Sequence, residues 1–265
     1  MLSRAKRRVS PDLRISSAAQ LLPKSTRHAA ARAHRVAVLK RRIQAGATIP
    51  ARAGNICGYD GAVRPAILFA PGAGAPSSSA WMQRYAAHLG HLGAVTPFDY
   101  PYMKEGRKSP DRWPTLLQAH RDALAAVRST TSGPVVLAGK SMGSRVGCHL
   151  SDTEEVAALV CFGYPLRGAR ADAPLRDGVL RTLRTPVLFV QGTRDKLCPL
   201  DLLEDVRRAM TAPNALHVVE TGDHSLEVTR TYLKTHGCTQ DDVERGIMTA
   251  VAEFLARHVP GMSPS

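Results

Sequence analysis

Aromatic residues are scarce in this sequence, at 5%, and its five cysteines form no CxxC pair and stand beside no histidine at zinc-ligand spacing. An odd, scattered set, Cys57, Cys148, Cys161, Cys198 and Cys238, excludes a disulfide framework and a zinc module. It reads instead as buried thiols in a reducing compartment. None of the five lies in a glycine-flanked turn, so a cysteine nucleophile is not expected. No stretch supplies the roughly 18 uncharged apolar residues that a membrane span needs, and the basic N-terminal stretch lacks the continuous apolar core of a secretory signal. The sequence is therefore read as soluble and intracellular, with no metal and no cofactor called for.

Acidic residues are also scarce, but only locally. Residues 1 to 53 hold 13 Lys and Arg against a single acid, Asp12, whereas the rest of the chain holds 23 against 21. Most of the formal charge of +14 therefore belongs to the N-terminal stretch, and a basic groove on the folded part does not follow from it. The division predicts a basic extension over 1–53 and a globular domain over 54–265. The extension, rich in Arg, Ser and Ala, fits an organelle transit peptide or a disordered tail, with nucleic-acid binding behind both. The corresponding compartments are an organelle in the first case, and the cytosol or nucleus otherwise.

What the sequence does have, from residue 66 onward, is an alternation of short apolar runs with amphipathic stretches. AILFA (66–70), AVTPFDY (94–100), VVLA (135–138), VAALVCFGY (156–164), PVLFVQG (186–192) and ALHVVE (215–220) read as strands. SAWMQRYAAHLGHLG, TLLQAHRDALAAVR, LLEDVRRAM and DDVERGIMTAVAEFLARH read as helices. The last opens on Asp241 and Asp242 and closes on Arg257 and His258, as the helix dipole favours. The fold class expected is α/β, a mostly parallel sheet with helices on both faces. In such a sheet, ligands meet the loops that leave the carboxyl ends of the strands.

The loop after the third run, VVLAGKSMGSRVG, admits three readings. A phosphate loop would need a glycine five residues before Gly139, where this chain has Pro134. A dinucleotide fingerprint is partly present elsewhere, as Gly72-x-Gly74 with Asp99 beyond the next strand. Its third position, however, is Ser77. The third reading, a nucleophile elbow, needs strand, G-x-S-x-G and helix in that order, and Gly139-Lys140-Ser141-Met142-Gly143 supplies them.

An elbow serine needs an acid and then a histidine further along the chain. Asp195 follows PVLFVQGTR and His224 follows ALHVVE, both at strand ends. Each of the three residues alone would be ordinary turn chemistry; their joint order and placement favour a site. His224 would take the proton from Ser141, and Asp195 would fix its tautomer. Oxyanion donors are expected at the N–H of Met142 and, in the PGAGA loop, of Ala73. The adjacent Asp223 reads as turn chemistry. Lys104, Arg107, Lys108 and Arg167 read as solvated loop charges, with selection of an acidic substrate as the alternative.

Six ordered segments, FAPGAGAPSSSAWM, FDYPYMKEGRKSPDRWPTL, LAGKSMGSRVG, CFGYPLRGAR, VQGTRDKLCP and TGDHSLEV, make the chain from about residue 58 onward resemble one family. It is the α/β-hydrolase-like family of NSL complex subunit 3 and testis-expressed protein 30, its plant members in particular. The resemblance implies a fold related to dienelactone hydrolase, with Ser141, Asp195 and His224 on the family's triad positions. The chain departs from the family at Pro71-Gly72, where His-Gly is usual, and at Gly143-Ser144-Arg145, where Gly-Gly-Arg is common. The expectation is a serine hydrolase of small esters or thioesters, with only residues 165–185 available where a lid would be inserted. The alternative, drawn from the same resemblance, is a non-catalytic subunit that binds a protein partner, as in a chromatin-regulatory complex.

Overall fold

The computed structural model describes residues 64–168, 170 and 173–262. The basic extension over 1–53 and Cys57 lie outside the described residues. In chain order the elements are β1 (Ala66–Ala70), α1 (Ala80–Gly90), β2 (Ala94–Pro97), α2 (Pro101–Lys104), α3 (Trp113–Arg128), β3 (Val135–Lys140) and α4 (Met142–Leu150). They continue with β4 (Ala158–Phe162), α5 (Gly178–Thr182), β5 (Val187–Gly192), α6 (Leu200–Ala209), β6 (Asn214–Val219), α7 (Arg230–His236) and α8 (Gln240–His258). The strands form one sheet in the order β2-β1-β3-β4-β5-β6, and every pairing in it is parallel.

The continuous apolar runs follow from this arrangement. A parallel strand covered on both sides has no wet face, so β1, β4 and β5 are buried at every position. Alternate residues serve two cores. Leu68, Leu137 and Leu159 meet Leu124 of α3, Cys148 of α4 and Val206 of α6 on one face. Ile67, Val136 and Val160 meet Tyr85 of α1 and Val251 and Phe254 of α8 on the other. The edge strands β2 and β6 are only partly covered, which is why their sequences are mixed.

Long-range ties fix the outer helices. Thr239 and Asp242 form a reciprocal capping box at the start of α8. Glu244 of α8, fully buried, receives Arg84 Nε at 3.0 Å and meets His88 Nε2 at 3.1 Å, both from α1. The segment between β4 and α5 carries no helix or strand among its described residues, so no lid is inserted there.

Some boundaries differ from those expected. The second strand stops at Pro97 rather than Tyr100, because Asp99 turns away to accept the Ser77 N–H at 2.6 Å and Tyr100 caps α2. The fourth stops at Phe162, because Gly163 takes a left-handed φ of 63°. The third runs on through Gly139 to Lys140, directly against the serine. Cys148, Cys161 and Cys198 are buried free thiols, as expected, and Cys238 is half-buried.

Candidate active site

Ser141 lies between β3 and α4 with φ 48° and ψ −112°, a conformation that an L-residue rarely adopts. The neighbouring backbone explains why it is held there. A Cβ on Gly139 would come within 2.4 Å of Ser144 N, and one on Gly143 within 2.6 Å of the carbonyl oxygens of Ala70 and Pro71. Only glycine at both positions lets strand, helix and the β1 loop approach so closely. Ser141 is the N-cap of α4, yet its hydroxyl makes no capping bond. Its N–H donates to Phe162 O at 2.9 Å, and Ser144 Oγ donates to its carbonyl at 2.6 Å, which gives the departure at Ser144 a local role.

The hydroxyl is directed instead to His224. Ser141 Oγ and His224 Nε2 are 2.8 Å apart, and His224 Nδ1 lies 2.7 Å from Asp195 Oδ2. With Nδ1 donating to the carboxylate, Nε2 is left as the acceptor. The three residues are separated by up to 83 positions in sequence and meet only because β3, β5 and β6 end at the same edge of the sheet. Asp195 is buried, and its carboxylate is fully engaged: Gln191 Nε2 donates to Oδ2 at 2.5 Å and Leu197 N to Oδ1 at 2.8 Å.

The loop carrying His224 is stiff. Asp223 Oδ1 accepts the N–H groups of Ser225 and Glu227 at 2.7 and 3.1 Å, the turn chemistry expected of it. Gly163 and Gly192 press against it from β4 and β5. A Cβ on Gly163 would stand 2.9 Å from His224 O, and one on Gly192 would stand 2.3 Å from Gly222 O.

The two segments expected to carry the oxyanion donors border the serine. Met142 opens α4, where the first N–H groups have no intrahelical acceptor. The PGAGA loop passes close by, since a Cβ on Gly72 would be 3.5 Å from Ser141 Cβ. Tyr102 anchors this loop by donating its hydroxyl proton to Ala73 O at 2.9 Å. Burial, with help from the Asp111 and Asp99 carboxylates, pushes that phenol up to about 12, so it stays a donor at neutral pH. Sequence reasoning did not find Tyr102, Gly163 or the contacts of Lys140, because each acts through a partner remote in sequence, nor Gln191, four residues before Asp195, which reads as one more position of a buried strand.

Lys140 turns under the His224 loop on the α1 side of the sheet. Its ammonium sits 4.1 Å from the centre of the Trp81 ring, and Trp81 Nε1 donates to Ser225 O at 2.8 Å. Of the loop charges weighed from sequence, Lys104, Arg107 and Lys108 are exposed, and Arg107 is paired with Glu105 and Asp111. Asp99, which a ribose would require, is occupied by Ser77. Among the described residues no group of three or more metal-ligating side chains comes together, and no helix is long and apolar enough to cross a membrane.

Solved structures with the same fold include a lidless α/β serine hydrolase from Xanthomonas campestris, 20% identical, with a TM-score of 0.53 over 76% of this chain and 85% of that one. A dienelactone hydrolase from Anabaena variabilis is 17% identical, with a TM-score of 0.56 over 74% of this chain and 87% of that one. A serine hydrolase homologue from Coxiella burnetii is also 17% identical, with a TM-score of 0.54 over 69% and 85%. The alpha/beta hydrolase domain model matches residues 63–256. With its sheet order, its glycine-flanked serine and this match in agreement, the chain belongs to the α/β-hydrolase domain family.

Proposed function

We propose that the protein is a serine hydrolase that cleaves small esters or thioesters through an acyl-enzyme on Ser141. The observation that carries this reading is the unbroken chain from Ser141 Oγ through His224 to Asp195, with contacts of 2.8 and 2.7 Å. His224 Nε2 takes the hydroxyl proton as Oγ attacks the carbonyl carbon, and Asp195 stabilises the imidazolium that forms. The oxyanion is received by the N–H groups of Met142 and Ala73. The tetrahedral adduct then expels the alkoxide or thiolate, which takes the proton from His224. Water, deprotonated by the same imidazole, attacks the acyl carbon and returns Ser141. Without an inserted lid, short and open-ended substrates suit the site.

The closer kinship with NSL complex subunit 3 and testis-expressed protein 30 is part of the same reading, as are the division at residue 53 and any protein partner. A pure binding module gives no reason to hold Ser141 at φ 48° with its hydroxyl on a histidine. A fluorophosphonate probe tests the proposal. The folded full-length chain should be labelled at Ser141, and labelling should vanish in Ser141→Ala and fall steeply in His224→Ala. A folded wild type that resists the probe would leave the binding-module reading in its place.

A further inference from the structure

Several half-buried arginines among the described residues have a carboxylate at hand. Arg84 has Glu244, Arg128 has Glu154 and Arg207 has Glu204. Arg145, one helical turn after Ser141, is half-buried without one. Its Nε is buried and has no acceptor. Its guanidinium lies 4.3 Å from the centre of the Trp113 ring, a contact that steadies it. Burial, and after it the positive charge of Arg176, lowers its affinity for a proton. Arg176 also meets no side-chain acceptor among the described residues. Two half-buried guanidinium groups whose charges act on each other gain from a bound anion.

Both arginines belong to the edge of the sheet where Ser141 stands. α3 and α4 begin at that edge, which places Trp113 and Arg145 there, and helical side chains lean back toward the N-terminus. Arg176 follows β4, and the described residues around it are tied down. Tyr164 donates its hydroxyl proton to Arg176 O at 2.8 Å, and Arg176 N donates to Leu166 O at 2.7 Å. Arg167 N donates to Leu197 O at 2.8 Å, and Leu197 N in turn holds Asp195. Arg145 follows Ser141 by four positions, a backbone rise of about 6 Å along a helix. This is the scale of a small substrate whose carbonyl lies at the serine.

We propose that Arg145 and Arg176 form an anion subsite beside Ser141 that takes the carboxylate of a small acidic ester or thioester. The planar fork of an arginine suits a carboxylate, and the Trp113 face gives it a fixed plane. The identity of the substrate as an ester rests on the proposed hydrolase function; the anion subsite does not.

The test uses two matched substrate pairs and the full-length chain. One pair places the acid on the acyl side, 4-nitrophenyl hydrogen terephthalate against its methyl ester. The other places it on the leaving group, 4-acetoxybenzoate against methyl 4-acetoxybenzoate. Wild type should favour the acid in one pair, and Arg145→Gln should cut that preference by about tenfold while kcat/KM on the neutral ester stays within about twofold. Arg145→Lys should retain part of it. Arg176→Gln should shift the ratio in the same direction and carries the test should Arg145→Gln fail to fold. No preference in either pair, or a ratio unchanged in both glutamine variants, overturns the subsite even where Ser141 is labelled and active. Where Ser141 proves inert to the fluorophosphonate probe, a rise of Tm with benzoate that disappears in both variants still supports the subsite. Absence of that rise in an inert protein overturns it.

Discussion

Lys140 Nζ donates to Ser225 Oγ across 2.9 Å, so the residue before Ser141 is tied to the residue after His224. Burial brings the Lys140 amine down to about 8, against a partial opposing pull from Asp223, Asp195 and Glu227. An unfolded lysine titrates near 10.4. Between these values the unfolded chain binds the proton that the folded chain has lost, so stability rises with pH across about 8 to 10.5. Below that window the folded state carries a cost of at most roughly 3 kcal/mol. Lys140→Met should flatten this pH dependence and leave Tm at neutral pH unchanged or raised. Ester turnover should nevertheless fall about tenfold, since Ser225 loses its donor and the histidine loop its tie to the elbow. Tm and kcat/KM measured together across pH 7 to 10.5 check both halves.

The elbow glycines make a sharper claim about the backbone. At Gly143 an added methyl group would meet two carbonyl oxygens of the β1 loop at 2.6 Å, and neither can rotate away. Gly143→Ala should cost about 3 kcal/mol or more, and any folded fraction should lose fluorophosphonate labelling because α4 and the β1 loop can no longer close on Ser141. Gly246→Ala is the control. It lies within α8, where a Cβ would meet nothing within 4 Å, so it should be neutral or slightly stabilising. Denaturant midpoints of the two variants give the comparison.

Much of this arrangement is legible in the sequence because it depends on local pattern. The central strands declare themselves as unbroken apolar runs, and the strand-end rule then selects Ser141, Asp195 and His224 from many alternatives. α7 is not legible in that way. Thr229 caps it and Gly237 closes it, but no residue in it is buried, so no apolar period marks it. The supports of the site are hidden for a different reason. Tyr102 on Ala73, Trp81 on Ser225 and Arg145 over Trp113 join residues 29, 144 and 32 positions apart, and no spacing rule couples such pairs.

Asp195 gives a prediction about tautomer. Both of its oxygens already accept protein donors, from Gln191, Leu197 and His224. An asparagine would keep the shape but bring an amide N–H against one of them. Asp195→Asn should fold normally and lower kcat by about 10³ to 10⁴, as expected when an imidazole loses the carboxylate that fixes its proton. Rates on a short activated ester, with circular dichroism as the check of folding, decide it.

His120 predicts an acid-sensitive term in stability. It is fully buried between Phe98 and Tyr100, its Nδ1 lies 3.2 Å from Tyr100 Oη, and its Nε2 has no partner. Burial holds its titration down at about 3. As pH falls below about 6.5 the unfolded histidine gains a proton and the folded one does not, so stability is lost at about 1.4 kcal/mol per pH unit until pH approaches 3. His149 and His217, also lowered by burial, add to the wild-type slope. The double variant Tyr100→Phe/His120→Leu removes the buried imidazole together with its hydroxyl partner, so no polar atom of that pair is stranded. Urea unfolding at pH 6.5, 5.5 and 4.5 should show a slope shallower than wild type by about 1.4 kcal/mol per pH unit. An equal slope in the two proteins would mean that His120 gains its proton in the folded state as readily as in the unfolded one.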